Sequence, residues 1–219
     1  MARIAEDVLL LLLDNPEEQP PLERGPLGRV LAGGLILDLG LDCRVRPTLP
    51  DEPLPAGHLT ALEGPIPVDP AVRPAWALLQ QRPITPGDAI AAIRKHSEDD
   101  VLDQLLRTGQ IHQRQLTAHR LRRNHYRWPI KNRGRVAVTR SELLGVLFER
   151  RRPHPVTAAV ICLLHGVRGL QTILSLNEDG VAAVDERARE IAEGGWVDSS
   201  DTAQVNLSLT LDAVLPALG

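Results

Sequence analysis

Seven histidines, two cysteines and a dense run of arginines are the side chains of this 219-residue chain with chemistry to offer. The histidines are His58, His96, His112, His119, His125, His154 and His165. No two stand at the His-x-x-x-His spacing that puts both imidazoles on one helix face. No cysteine or carboxylate beside His112 and His119 completes a four-ligand set. They read as solvated or hydrogen-bonded histidines, with His165, beside Gly166, a core or helix-end residue. Carboxylates cluster at Glu98-Asp99-Asp100 and at Glu186 with Glu190, outside any catalytic frame. The first cluster is the ordinary acidic start of a helix. There is no Gly-x-Ser-x-Gly, no dinucleotide fingerprint and no EF-hand loop, and no Lys-Ser/Thr follows Gly33-Gly34. The expectation is a protein that is not an enzyme and holds no cofactor and no metal.

The arginines are a different matter. Between Arg107 and Arg152 there are thirteen Arg and Lys against two acids, Glu142 and Glu149. That is an excess of +11 in a chain of net charge −3, so the remainder carries −14. Such asymmetry points to a polyanionic partner. Arg114 opens the stretch, Arg120, Arg122 and Arg123 flank Leu121, and Tyr126, Arg127 and Trp128 follow. Guanidinium groups take phosphate, and amphipathic rings sit at the water boundary of a membrane. Each basic residue near an anionic leaflet contributes ~1 kcal/mol. Arg114, Arg120, Arg122, Arg123, Arg127 and Trp128 are therefore candidate lipid-binding residues, with the whole segment Arg114 to Arg135 docking on anionic membrane. The same residues would suit a nucleic-acid backbone, since a helix followed by a basic hairpin is the outline of a winged-helix reader. Self-association through the hairpin, giving a homo-oligomer, is a third reading.

The elements that must carry these residues are mostly helical. Apolar residues make up 43% of the chain but aromatics only 2%, so the core is built from Leu, Val, Ile and Ala, which favours helix on helix. Ala5 to Leu13 reads as a short buried helix. Its apolar run falls short of the ~20 residues that cross a bilayer. It also lacks the basic start and cleavage site of a signal peptide. Any membrane contact is thus expected to be peripheral. Leu27 to Leu41 is apolar on nearly every side, as in the central helix of a bundle, and Gly33-Gly34 would let a neighbour approach closely. Asp42 to Leu49 and His58 to Val68 read as strands. Helices are expected from Asp69 to Gln81, from a Thr85 cap to His96, and from a Ser97 cap to Leu106, stopped by Gly109. The basic hairpin follows. Further helices are expected at Glu142–Arg150 and Val156–Leu164, from an Asn177 cap to Glu193, and from an Asp201 cap onward. Cys43 and Cys162 lie in apolar runs and read as reduced thiols of a cytosolic protein, with a single disulfide left open. With no repeat and no linker, residues 1–219 are expected to form one domain. Its class is mainly α: a helical bundle with short β-hairpins, one of them long and basic.

Four stretches carry a family likeness. Ala5-Glu6-Asp7-Val8-Leu9-Leu10-Leu11 resembles the opening helix of the Golgi phosphoprotein 3 family. Leu31-Ala32-Gly33-Gly34-Leu35-Ile36-Leu37-Asp38-Leu39 resembles its second helix. Val101 to Ile111, with Leu105, Gly109 and Ile111 in register, resembles the helix before its hairpin, and Ala158 to His165 a later helix. The order is kept over most of the chain, and the likeness is to the bacterial branch. The resemblance implies a mostly helical single domain, cytoplasmic and peripheral on the inner face of a membrane. It also implies phosphatidylinositol 4-phosphate-type headgroup binding and client membrane enzymes as partners. The family's headgroup pocket uses a Trp, a helix Arg and two Arg three apart. Those positions fall here near Glu23, on Ala32, and near Lys95 and Glu98, with Arg94 adjacent. Lys95 keeps the charge and Glu98 reverses it, and the hairpin is basic where that of eukaryotic members is apolar. Arg94 and Lys95 join the candidate lipid-binding residues on this ground.

Overall fold

The computed structural model describes residues 4–115 and 126–219. Among these residues there are ten α-helices and two antiparallel strand pairs, so the fold is mainly α with short hairpins. The centre is α2 (Arg24–Leu41), buried from Leu27 to Gly40 apart from Arg29. Helix α1 (Ile4–Leu13) lies against it, with every residue but Asp7 buried. The start of α1 is capped from α2: the Ile4 and Ala5 amides donate to the two carboxylate oxygens of Asp38 at 2.9 and 3.1 Å. A buried carboxylate in a largely apolar helix thus satisfies the first amides of its neighbour. The close approach expected at Gly33-Gly34 is present. A Cβ on Gly34 would stand 2.9 Å from the Ala5 Cα, and one on Gly33 would meet Leu163, Val214 and Leu218.

Strands β1 (Val45–Pro47) and β2 (Leu59–Ala61) pair antiparallel with Arg46 opposite Thr60. They are shorter than the sequence pattern suggests: the left-handed backbone of Cys43 precedes β1 and Pro47 closes it, while Pro55 and Pro65 lie on either side of β2. A 3₁₀ turn at Pro70–Val72, capped by Asp69, precedes α3 (Arg73–Gln81). Helix α4 (Pro86–Ile93) starts at the expected Thr85 cap, whose hydroxyl accepts from the Asp88 amide at 3.1 Å. Helix α5 (Ser97–Arg107) ends at Gly109, which takes the left-handed φ of +68°.

Past α5, Ile111 bridges Ile130, and β3 (Arg114–Gln115) pairs with β4 (Tyr126–Arg127). The expected hairpin is therefore present at its base, and its stretch 116–125, with Arg120, Arg122 and Arg123, lies outside the described residues. Helix α6 (Arg133–Phe148) begins nine residues before Glu142, where the sequence reading starts it, because Asn132 caps it by accepting from the Arg135 amide at 3.2 Å. Then come α7 (Pro155–Gly166), the short α8 (Gly169–Leu174), α9 (Glu178–Ala192) under its Asn177 cap, and α10 (Thr202–Val214) under its Asp201 cap. The apolar faces of all these elements join one contiguous core. Cys43 and Cys162 are free thiols, and burial pushes Cys162 up to about 12, so it is an inert core residue.

Candidate functional site: a charged cleft between α2 and the α4–α5 turn

The first turn of α2 and the start of α5 are held together by a glycine and a serine. Gly28 comes so close to the α4–α5 turn that a Cβ there would lie 2.6 Å from the Arg94 carbonyl oxygen. Ser97, expected to cap α5 with its side chain, does something else. It is the first helical residue, fully buried, and its hydroxyl lies 3.1 Å from the Gly28 carbonyl and 3.2 Å from that of Arg94. The hydroxyl latches α2 to the turn, so it is withdrawn from the amides it would otherwise cap.

Outside this latch opens a cavity of about 480 Å³ lined by Arg24, Gly25, Gly28, Arg94, Lys95, Glu98 and Asp99. Three cations and two carboxylates share it. Among the described residues Arg24, Arg94 and Lys95 stand in no ion pair. The start of α2 has no side-chain cap and no acid within its first turn, although its N-cap residue is Glu23, and Glu98 and Asp99 line the same cavity. Helix α5 is the opposite case, with Glu98, Asp99 and Asp100 in its first turn. Burial pushes the Glu98 carboxyl up and Asp99 adds to this, while Arg24 works against both. Burial likewise raises Asp100. Cations in no ion pair, beside a helix start without a side-chain cap, can hold a phosphate.

A second cavity of about 220 Å³ adjoins the first, sharing Arg24, Glu98 and Asp99. It is lined further by Gln19, Pro20, Leu22, Leu27, Leu102, Tyr126 and Trp128. The rings of Tyr126 and Trp128 lie 6.0 Å apart, tilted by 41°. The base of the hairpin is fastened here: the Trp128 amide donates to the Glu18 carbonyl at 2.9 Å, and the Gln19 side chain to the Tyr126 carbonyl at 2.8 Å. The charged lining is thus shared by both cavities, and aliphatic and aromatic side chains join it in the second.

A sequence profile described as Golgi phosphoprotein 3 (GPP34) matches residues 4–206. The chain belongs to the Golgi phosphoprotein 3 family. Comparison with curated proteins gives no match. Family membership supports a membrane-associated role of the Golgi phosphoprotein 3 kind. Among the described residues no helix is long and apolar enough to cross a membrane. Nor does any group of three or more His, Cys, Asp and Glu among them stand ready to hold a metal.

Of the four positions that the likeness to Golgi phosphoprotein 3 assigns to a headgroup pocket, those of Lys95 and Glu98 line the larger cavity. Ala32 is fully buried in α2, and Glu23 is the exposed residue before its first turn. Trp128, just past β4, brings an aromatic ring to the adjoining cavity. Arg24 is the residue that reading the sequence missed. Seventy residues separate it from Arg94, so no spacing joins them. The one local signal is a cation in the first turn of a helix, where the dipole disfavours it.

The arginines of the basic segment are placed differently. Arg114 pairs with Glu18, and Arg127 lies 3.8 Å from Glu17. Arg135, counted above in the docking segment, is instead a clamp: it holds Glu6 at 2.5 Å and Asp7 at 2.7 Å, and so ties α6 to α1. Burial alone would lower its guanidinium, but Asp7 and Glu6 outweigh it and hold it above the ordinary arginine value. Arg140 pairs with Asp14 at 2.9 Å, Arg150 with Glu190 at 2.5 Å and Arg151 with Glu149. Arg152 donates to the Trp196 carbonyl at 3.0 Å. Much of the excess charge is answered by acids that other parts of the chain bring to it. The winged-helix reading leaned on Arg120, Arg122 and Arg123, outside the described residues.

Proposed function

We propose that this Golgi phosphoprotein 3 family member is a non-enzymatic peripheral membrane protein that seats a phosphate-bearing lipid headgroup in the α2/α4–α5 cleft. The observation that carries this is the meeting of Arg24, Arg94 and Lys95, none of them in an ion pair among the described residues, at the uncapped start of α2. Its volume of about 480 Å³ lies in the range of small-ligand sites, about 300–1,000 Å³. The adjoining end, where Leu22, Leu27, Leu102, Tyr126 and Trp128 join the lining, suits the glycerol region beneath a headgroup. Arg120, Arg122 and Arg123 add attraction to an anionic leaflet, worth ~1 kcal/mol each when near it. The protein docks from the cytoplasmic side, as the family likeness implies.

The test is co-sedimentation of the full chain with vesicles of phosphatidylcholine alone or mixed with phosphatidylglycerol. The wild type pellets with the anionic mixture and less with phosphatidylcholine alone. The Arg24→Glu, Lys95→Glu double variant stays in the supernatant while keeping its melting temperature. Pelleting equal to wild type by that variant would overturn the assignment of the cleft.

A further inference from the structure

Helix α6 is apolar inward and outward. At 3.6 residues per turn, Ala137, Ser141, Leu144 and Phe148 recur at i, i+4, i+7 and i+11, with Val138 beside them. All five are exposed, Val138 by 59%, Leu144 by 36% and Phe148 by 48%. On the other side of the helix Val136, Leu143 and Leu147 belong to the core. The one acid within α6, Glu142, is turned toward α7, where it accepts from the Thr157 hydroxyl at 3.2 Å. Other outer helices are different: α5 exposes Asp99, Asp103 and Arg107, and α9 exposes Glu178, Asp179, Glu186 and Arg189. Single exposed apolar residues are ordinary, but three large ones in one stripe with no charge between them mark a surface that meets something other than water.

The charge at the near end of the stripe says what covers it. Helix α6 leaves the hairpin base directly, since Ile130 bridges Ile111 and the Lys131 amide donates to the Gln110 carbonyl at 2.8 Å. Lys131 and Arg133 come next, both exposed and in no ion pair among the described residues. Two unanswered cations leading into an apolar stripe without an acid are complementary to an anionic leaflet, whose phosphates take the cations while the stripe reaches the acyl boundary. We infer that the exposed face of α6 lies in the plane of an anionic membrane, with Val138, Leu144 and Phe148 at the acyl boundary and Lys131 and Arg133 against lipid phosphates. This contact is separate from the headgroup cleft and needs no particular headgroup. It shares with the cleft only the premise of membrane association, which family membership supports.

The experiment places an environment-sensitive label on the face. Ser141→Cys, in a Cys43→Ser background where the remaining Cys162 is buried, carries a nitrobenzoxadiazole group in the middle of the stripe, and Glu186→Cys carries it on α9 as a control. With vesicles of phosphatidylcholine and phosphatidylglycerol, the label at 141 is expected to brighten and shift to the blue, and the label at 186 to stay unchanged. In flotation with the same vesicles, the Val138→Ser, Leu144→Ser, Phe148→Ser variant of the full chain should bind at least about tenfold more weakly than wild type, the scale of withdrawing large apolar side chains from lipid. Its melting temperature, measured alongside, should be that of wild type, since all three positions are exposed. A silent label at 141 on a chain that floats would overturn the α6 contact and leave the cleft standing. So would a triple variant that folds and floats as wild type does. A wild type that is dimeric without vesicles, with a triple variant that is monomeric, would assign the stripe to a second copy of the chain and overturn the membrane contact. Failure of wild type to float with any vesicle would remove both this contact and the cleft reading.

Discussion

Two basic regions of this molecule differ in what their charges are doing. The segment from Arg107 to Arg152 holds thirteen of the 25 basic residues. Yet Arg114, Arg127, Arg135, Arg140, Arg150 and Arg151 each stand beside an acid, most of them from α1, the loop after it, or α9. The cleft holds three basic residues in no ion pair among the described residues, brought together from the start of α2 and the turn before α5. Charge density along the chain and charge available to a partner are separate quantities. The first is a property of composition. The second depends on which acids fold onto it.

The largest expected effect comes from treating a paired arginine as though it were a ligand. Arg135→Met leaves Glu6, 4% exposed, without its guanidinium, and breaking a buried pair from one side costs about 3 kcal/mol. Thermal denaturation should show a melting temperature lower by roughly 6–12 °C, on the usual scale for a chain of this size. Arg24→Glu, at an exposed position, should change stability by less than about 0.5 kcal/mol. Equal effects at the two sites would erase the distinction between clamp and ligand. Next in size is Gly28→Ala. The added Cβ meets a backbone carbonyl that cannot swing aside, so a loss of about 1–3 kcal/mol is expected, together with weaker vesicle binding. A stable variant with unchanged binding would mean that this contact does not shape the cleft.

A smaller effect is a pH dependence. Burial raises Glu98 above its ordinary value of 4.5. A raised carboxyl binds its proton more tightly folded than unfolded. Its stabilising contribution is therefore full below the ordinary value and is lost as pH rises through the raised one. For ligands the same proton removes a negative charge from the cleft. Binding of phosphatidylglycerol vesicles should strengthen as pH falls from neutral toward 4.5, and Glu98→Gln should flatten that dependence. A slope unaltered by Glu98→Gln would assign the titration elsewhere.

How much of this was legible beforehand follows the range of the forces involved. The apolar α2, the close approach at Gly33-Gly34, the caps at Thr85, Asn177 and Asp201 and the stop at Gly109 are local signals, and the structure keeps each of them. The start of α6 was hidden because Arg133-Gly134-Arg135 looks like a basic loop. Only the Asn132 cap and the pull of Glu6 and Asp7 on Arg135 make it helical. Ser97 misled because a good capping residue was claimed by a carbonyl 69 positions away. The cleft escaped for the same reason, since Arg24 meets Arg94 and Lys95 only when α2 folds against the α4–α5 turn. The pairing of the basic segment was equally invisible, because Glu6, Asp7, Asp14, Glu17 and Glu18 lie some hundred residues before it.

The central claim is that the cleft, and not the paired arginines at the hairpin base, takes the phosphate. The most direct measurement compares two variants that each remove two positive charges, Arg24→Gln with Lys95→Gln and Arg114→Gln with Arg127→Gln, in binding to phosphatidylglycerol-containing vesicles. At ~1 kcal/mol per engaged cation, the cleft pair should weaken binding by about tenfold or more and the hairpin pair by less than about threefold. A hairpin pair that costs more than the cleft pair would contradict the account.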